Sequence, residues 1–358
     1  MGEIRLMKGN EALAEAMIRA GCDAYFGYPI TPQSEVLEYL SEHQPEKTTG
    51  MVVLQAESEI GAINMLHGAG GAGKRVMTTS SSPGISLMQE AISYMASAEV
   101  PCLIANIVRG GPGLGTIQPS QADYFQSTKG GGHGDYHMIV LAPSTVQETV
   151  DFVKDGFELA EKYRTPVMIL TDGAIGQMME KVELFDQIPR RTEEQLKKIS
   201  WATIGKGDRK VRNFISSLNI QPEKMEQLNQ NLQDKYKNIQ KNEVRVETYN
   251  TEGAEYIFTG FGLGARICKK AAQIASAKGH KIGVVRPLTV WPFPSELYRE
   301  LAGKVKGILD VEMNAGQMVE DVKLAVGDKT RVEFYGRMGG MIASPNEIVE
   351  HFEKTFIK

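Results

Sequence analysis

From Asn10 to about residue 185, short and nearly continuous apolar runs alternate with stretches whose apolar residues recur every three or four positions. This is the pattern of a parallel sheet covered by helices, so a doubly wound α/β domain is predicted. The first helix, Asn10 to Ala20, ends at Gly21, a residue type suited to a helix C-terminus, and leads into a strand at Ala24 to Tyr28. Further strands are predicted at Met51 to Gln55, Arg75 to Thr79, Pro101 to Val108, His137 to Ala142 and Pro166 to Thr171. Helices fall near Glu57 to His67, Gly84 to Ser97 and Ser144 to Tyr163.

Over residues 186–250 the apolar runs disappear, Gln and Asn collect in Gln227 to Gln233, and Lys and Arg outnumber Asp and Glu. This reads as a partly helical linker or insertion on a surface. Its cations form a solvated face or, on a sharper reading, a docking surface for an acidic partner. Alternation returns over 251–358, with strands at Tyr256 to Thr259, Lys281 to Arg286, Gly307 to Val311 and Arg331 to Tyr335. Helices near Ala265 to Ala277, Pro294 to Ala302, Gly316 to Ala325 and Pro345 to Lys354 complete a second, smaller α/β domain.

Composition narrows the class. With 358 residues, 42% hydrophobic and 23% charged, the chain suits two or three globular domains and excludes a disordered, collagenous or coiled-coil protein. A formal charge of −4 provides no global positive field for nucleic acid. No apolar run is long enough to span a bilayer and the first residues lack a signal-peptide stretch, so a cytoplasmic location without membrane contact is expected. Cys22, Cys102 and Cys268 lie far apart with no CxxC pair, which argues against a disulfide framework or an iron–sulfur cluster held by this chain alone.

Ligands of open α/β sheets bind beyond the carboxyl ends of the strands. That rule gathers four loops at one edge: Tyr28-Pro29-Ile30-Thr31-Pro32, Ala56-Glu57-Ser58-Glu59, Ser80-Ser81-Ser82-Pro83-Gly84 and Arg109-Gly110-Gly111-Pro112-Gly113. An arginine with a nearby hydroxyl suits a carboxylate or phosphate, so an acidic small substrate is implied. Between Glu57 and Glu59 the residues alone do not choose. Taken singly, each feature also has a plain structural reading: glutamate in a first helical turn, a threonine shaping a turn, an arginine at the surface.

The same loops, followed by Val140-Leu141-Ala142-Pro143, Leu170-Thr171-Asp172, Val285 to Pro294, Glu312 to Gln317 and Tyr335 to Gly340, resemble the alpha subunits of 2-oxoacid:ferredoxin oxidoreductases. Within that family the resemblance is to the branched-chain, 2-oxoisovalerate type. It implies that residues 1–185 are the pyrimidine-binding half of a thiamine diphosphate enzyme and that 251–358 are similar to the transketolase C-terminal domain. It assigns Glu59, rather than Glu57, to protonating the aminopyrimidine ring, and Thr31 and Arg109 to holding the oxoacid carboxylate. Pro29, Ser82, Pro83 and Gly84 would line the pyrimidine pocket. The implied reaction is oxidative decarboxylation to acyl-coenzyme A and CO2 with reduction of ferredoxin; 2-oxoglutarate is the alternative substrate.

A diphosphate-binding half carries Gly-Asp-Gly to place its magnesium, and this chain has none; Lys154-Asp155-Gly156 and Thr171-Asp172-Gly173 fail the pattern. The resemblance therefore implies a beta subunit supplying diphosphate and magnesium sites, with iron–sulfur clusters on ferredoxin-like and gamma partners and no metal on this chain. Two competing readings remain. Gly260-Phe261-Gly262-Leu263-Gly264-Ala265 resembles a dinucleotide fingerprint, although Arg286-Pro287 stands where an acid should hold the ribose; NADP or close glycine packing would each explain it. A non-catalytic scaffold is the other, against which the joint presence of Thr31, Glu59 and Arg109 argues. His133 and His137 lie among glycines, which deny them the helical geometry of a metal pair, and Gly110 to Gly134 reads as a cover over the site. Met65, Met88 and Met95 read as core or interface.

Overall fold

A computed structural model describes residues 2–358. The main sheet has seven strands in the order Thr289–Trp291, Ile139–Leu141, Pro166–Asp172, Cys102–Val108, Val76–Ser80, Ala24–Gly27 and Val52–Gln55. All neighbours are parallel except Thr289–Trp291, which runs antiparallel to Ile139–Leu141. The central strands Cys102–Val108 and Pro166–Asp172 are buried at every residue, which is why they read as continuous apolar runs rather than as alternation.

Local signals set the helix starts and stops. Ser58 and Thr145 cap the helices Glu59–Gly71 and Val146–Tyr163, their hydroxyls accepting the N–H groups of Gly61 and Glu148, each at 3.1 Å. Gly21, at φ +70°, turns the chain out of the helix Gly9–Arg19. From Ala24–Gly27 the chain moves outward to the edge strand Val52–Gln55 and then crosses back to Val76–Ser80 on the other side. That reversal places the loops after Gly27 and after Ser80 side by side at the carboxyl edge.

A second sheet of five strands runs Arg331–Gly336, Gly307–Glu312, Tyr256–Thr259, Ile282–Pro287 and Val246–Tyr249, over a separate core that includes Phe258, Cys268, Ile348 and Phe352. Among the described residues no helix is long and apolar enough to cross a membrane, and no group of three or more candidate metal ligands occurs.

The structure departs from the sequence pattern in four places. The 186–250 stretch is more than a surface linker: Pro222–Asn242 is a helix that buries Leu232, Tyr236 and Ile239, and Val246–Tyr249 pairs with Ile282–Pro287 as an edge of the second sheet. Thr289–Trp291 leaves the second unit to join the first sheet, where Trp291 stacks on His137. Glu3–Lys8 and Met179–Leu184 form a two-stranded sheet with a largely exposed face, a pattern too polar to read as strands. The helix Ser34–His43 buries only Val36, Tyr39 and Leu40, too narrow a stripe to stand out.

Asp172 closes the central strand and caps the next turn, its Oδ1 accepting the N–H groups of Ala174 at 2.8 Å and Ile175 at 3.2 Å. Burial outweighs these bonds and pushes the carboxyl from 3.8 up to about 6. The folded state therefore holds a proton that the unfolded chain releases near pH 4. The stability this group allows is fully present below that pH and declines as pH rises through 6, by up to about 3 kcal/mol. Asp172→Asn is expected to flatten the fall in stability between pH 4 and 7. Urea unfolding midpoints of both proteins across that range test it, and parallel pH profiles would refute it.

Candidate active site

The helix Glu59–Gly71 begins on Glu59 itself. Glu59 is 6% exposed, whereas Glu57 is solvent-facing and folds over Gly61. No hydrogen bond or ion pair within the described residues ties down the Glu59 carboxylate. Gly84, in the first turn of the helix Ser82–Ser97, faces it closely: a Cβ there would meet Glu59 Oε1 at 2.7 Å and overlap the Ser80 hydroxyl. Glycine is thus required for the two helix starts to approach. The hydroxyls of Ser80 and Ser81 are buried beside them without partners.

Arg109 ends the run after the strand Cys102–Val108 and is 6% exposed. Its Nη1 donates to the Thr31 carbonyl at 2.8 Å and its Nη2 to the Leu114 carbonyl at 2.9 Å, while Nε has no partner. No carboxylate of the described residues pairs with this guanidinium. A buried cation held only by carbonyls, with an N–H left over, is unusual, because leaving a charge unpaired away from water is costly. Its backbone is held as well: the Ser82 hydroxyl accepts the Arg109 N–H at 3.1 Å. Ser82 is in turn fixed through Asn106, whose Oδ1 accepts the Ser82 N–H at 3.1 Å and whose Nδ2 donates to Asp123 at 2.9 Å. Burial raises the Asp123 carboxyl above its ordinary range despite that amide.

Beside Arg109 a cavity of about 620 Å³ opens between the two sheets. Ser82, Pro83, Pro112 and Asp123 line one side, and Asn314, Gln317 and Met338 the other. Its two walls are joined by Gln121, which is 3% exposed. Nε2 of Gln121 donates to the Phe261 carbonyl at 2.7 Å and Oε1 accepts the Met313 N–H at 3.0 Å. The Gln121 backbone N–H donates to the Met313 carbonyl at 3.0 Å and its carbonyl accepts from Asn314 Nδ2 at 2.9 Å. The loop bearing Asn314 is set by Glu312, whose buried carboxylate accepts the N–H groups of Gln317, Met318 and Val319 and the amide of Asn314 at 2.8 to 3.1 Å.

The structure thus brings Ser82, Pro83 and Arg109 onto one cavity wall, with Glu59 reached through Gly84. Thr31 and Pro29 are exposed and off that wall, and Thr31 touches Arg109 through its carbonyl. The expected cover over Gly110 to Gly134 is not a single loop. Gly111 to Gly115 is exposed, Ser120 and Gln121 are bonded to the second unit, and Tyr124–Thr128 forms a helical turn. His133 and His137 face different partners, Tyr94 and Trp291. The Gly260-x-Gly262-x-Gly264 run serves packing: a Cβ on Gly260 or Gly264 would lie 2.8 Å from the Val311 carbonyl, and one on Gly264 would lie 3.0 Å from Gln121 Oε1. Arg286 is committed to Glu148 at 2.6 Å and Glu247 at 3.0 Å, so it is not free for a ribose phosphate. Sequence reading passed over Asn106, Gln121, Asp123, Asn314 and Gln317. Of these, Asn106 carried a signal, as a polar residue inside an otherwise apolar strand.

A family model described as pyruvate flavodoxin/ferredoxin oxidoreductase, thiamine diphosphate-binding, matches residues 15–247. A second, pyruvate:ferredoxin oxidoreductase core domain II, matches residues 254–348. The ketoisovalerate oxidoreductase subunit VorB of Methanothermobacter marburgensis is 47% identical over 345 residues, covering 96% of this chain and 96% of that protein. The 2-oxoglutarate:ferredoxin oxidoreductase of Magnetococcus marinus, solved with 2-oxoglutarate, coenzyme A and succinyl-CoA bound, superposes with a TM-score of 0.85 at 28% identity. That match covers 99% of this chain and 65% of the Magnetococcus chain, so this chain spans just under two thirds of its length. An inactive beta4 tetramer of a split-gene transketolase shares the fold, with a TM-score of 0.60 at 14% identity over 98% of each chain.

Gln121→Ala strands the buried Met313 N–H and takes one of two donors from the Phe261 carbonyl, which keeps the Ala265 N–H at 3.2 Å, at a cost of about 1–3 kcal/mol. The expected outcome is a clear drop in the urea unfolding midpoint together with faster proteolysis between the two units. A midpoint within error of the parent would show that the joint does not depend on this amide.

Proposed function

The chain belongs to the pyruvate flavodoxin/ferredoxin oxidoreductase family and is a subunit of a 2-oxoacid:ferredoxin oxidoreductase, and from that premise we propose that it is the pyrimidine-binding half of a thiamine diphosphate site acting on branched-chain 2-oxoacids. The products are the acyl-coenzyme A and CO2, with ferredoxin taking the electrons. The observation that carries this reading is the pair of buried ionisable side chains without a counter-charge, Glu59 and Arg109, at loops of one sheet edge. A scaffold or a dinucleotide-binding module has no use for either.

The residues fit the cofactor the family implies: a buried free carboxylate beside a glycine cradle, with unpaired serine hydroxyls next to it. Bound thiamine diphosphate would supply the carbon nucleophile that adds to the 2-oxo carbonyl and the electron sink for the carbon–carbon bond that breaks. Glu59 would hold the proton shared with the aminopyrimidine ring nitrogen, in a recess where water does not compete for it. Pro29 and Ser82 to Gly84 would flank that ring. Arg109 is oriented before substrate arrives, since two of its nitrogens are already bonded to Thr31 and Leu114. Its free Nε–H and an adjacent N–H can take the oxoacid carboxylate in the bidentate manner that suits a guanidinium, and the Thr31 hydroxyl would add a third bond.

The cavity beside Arg109 supports the substrate class. Pro83, Pro112, Ala122, Ala315 and Met338 give it apolar surface, and Arg109 is the only cation among its lining residues. A branched aliphatic tail suits that wall, whereas the second carboxylate of 2-oxoglutarate would meet no counter-charge and would face Asp123. The missing half of the site supports a beta partner with the diphosphate and magnesium sites, and iron–sulfur clusters on further subunits. Met338 at the cavity, and Leu114, Ile117, Met341 and Ile342 on the chain segments that adjoin its lining, are exposed apolar groups for such a partner to cover.

In the assembled enzyme, Glu59→Gln is expected to lower kcat by about two orders of magnitude or more while subunits still co-purify; near-parent turnover would refute the assignment. Arg109→Ala should raise KM for the oxoacid on the order of 10²-fold, and an unchanged KM would remove Arg109 from substrate binding. Ferredoxin reduction measured against a panel of 2-oxoacids should give the highest kcat/KM with 2-oxoisovalerate; a preference for 2-oxoglutarate would overturn the substrate class.

A further inference from the structure

Far from the catalytic edge, residues 206–220 form neither helix nor strand before the helix Pro222–Asn242 begins. Four cations, Lys206, Arg209, Lys210 and Arg212, stand there against one anion, Asp208. None of the four has an ion-pair partner among the described residues, and Arg209 donates only to the carbonyls of Lys206, Ser200 and Gly205. Between and beyond them Val211, Phe214, Leu218 and Ile220 are 74%, 88%, 73% and 85% exposed, among the most exposed large apolar residues of the chain. The strip is nevertheless anchored. Asn213 donates to the carbonyls of Ser200 and Ala202, Thr203 donates to the Gly71 carbonyl, and Ile215 packs against the main core. A hollow of about 340 Å³ opens at its inner edge, lined by Phe214, Ile215 and Asn219 with Arg164 and Trp201.

We infer that residues 206–220 dock an acidic protein surface bearing an apolar hollow, within the assembly in which the chain works. Apolar side chains ringed by uncompensated charge reproduce the centre and rim of a protein interface. The cations select a partner of opposite sign and speed its approach. That sign runs against the chain's own net charge of −4, so the segment is a local reversal and not part of a basic face. Nucleic acid fits less well, because Phe214 is the only aromatic side chain in the strip and successive bases would find nothing to stack on. A membrane surface fits less well too, because the strip is not an amphipathic helix.

The inference rests on the multi-subunit reading only in requiring a partner. The test places a photo-crosslinking phenylalanine analogue at Phe214 of the full chain, co-expressed and purified with its partner subunits. The expected result is a crosslink to an acidic subunit whose yield falls at least tenfold in about 0.5 M salt, where charge attraction is screened. The same fall is expected with K210E/R212E and, through the apolar centre, with L218S. A complex that holds together and turns over 2-oxoacid without crosslinking at Phe214 overturns this inference alone. So does a crosslink to a second copy of the chain, a yield indifferent to salt and charge reversal, or capture of anionic vesicles or RNA in place of protein. A chain that co-purifies with no subunit overturns the assembly reading, and the docking role with it.

Discussion

Gln121 bonds the Phe261 carbonyl and the Met313 N–H with one side-chain amide, at the centre of the bonds that join the two walls of the cavity. The main core runs from the first sheet into the second through Ile257, Val285 and Ile308, a smaller core covers the second sheet's other face, and the cavity lies where the two carboxyl edges meet. The pairing of Thr289–Trp291 with Ile139–Leu141 and the Arg286–Glu148 ion pair also tie the units together, and at the cavity itself a buried amide whose donor and acceptor are both used favours one register. Gly264 serves the same joint, since a Cβ there would lie 3.0 Å from Gln121 Oε1, while Gly260 lets its turn pack on the Val311 carbonyl within the second unit. The loop Asn314 to Gln317, fixed from beneath by Glu312, then faces Ser82 and Arg109 across a constant gap.

Within that frame the site is an arrangement of unmet needs. Proteins usually pair a buried charge or hydrogen-bonding group, and most buried charges in this chain follow the rule. Arg286 has its carboxylates and Asp172 has its N–H donors. Arg109 Nε and the hydroxyls of Ser80 and Ser81 lack partners, and Glu59 has none nearby. All four lie at or just beyond strand ends, at the carboxyl edge of the first sheet. Unpartnered groups occur elsewhere too, as at Asp310, but a carboxylate and a guanidinium left without counter-charges at one sheet edge are what the proposed site would use.

Much of this was legible in the residues because parallel strands buried on both faces leave an unmistakable apolar signature, as at Cys102–Val108 and Pro166–Asp172. The rule that ligands sit beyond the carboxyl ends of parallel strands then gathered the loops holding Glu59, Ser82 and Arg109 at one edge. Elements with one face in water were invisible: Glu3–Lys8 and Met179–Leu184 read as polar sequence, and Val246–Tyr249 was lost in the linker. Contacts across the joint were also beyond reach. Gln121 lies 192 positions from Met313, and no periodicity links them. Glu57 and Glu59 could not be separated by spacing, but burial separates them, because two positions at a helix start point in different directions.

The most direct test of the account is the structure of the assembled enzyme with 2-oxoisovalerate held before turnover. The account predicts the substrate carboxylate on Arg109, with Nε at an ionic hydrogen-bond distance of about 2.7–2.9 Å and the aliphatic tail against Pro83, Pro112 and Met338. A carboxylate bound elsewhere, with Arg109 Nε still unpaired, would contradict it.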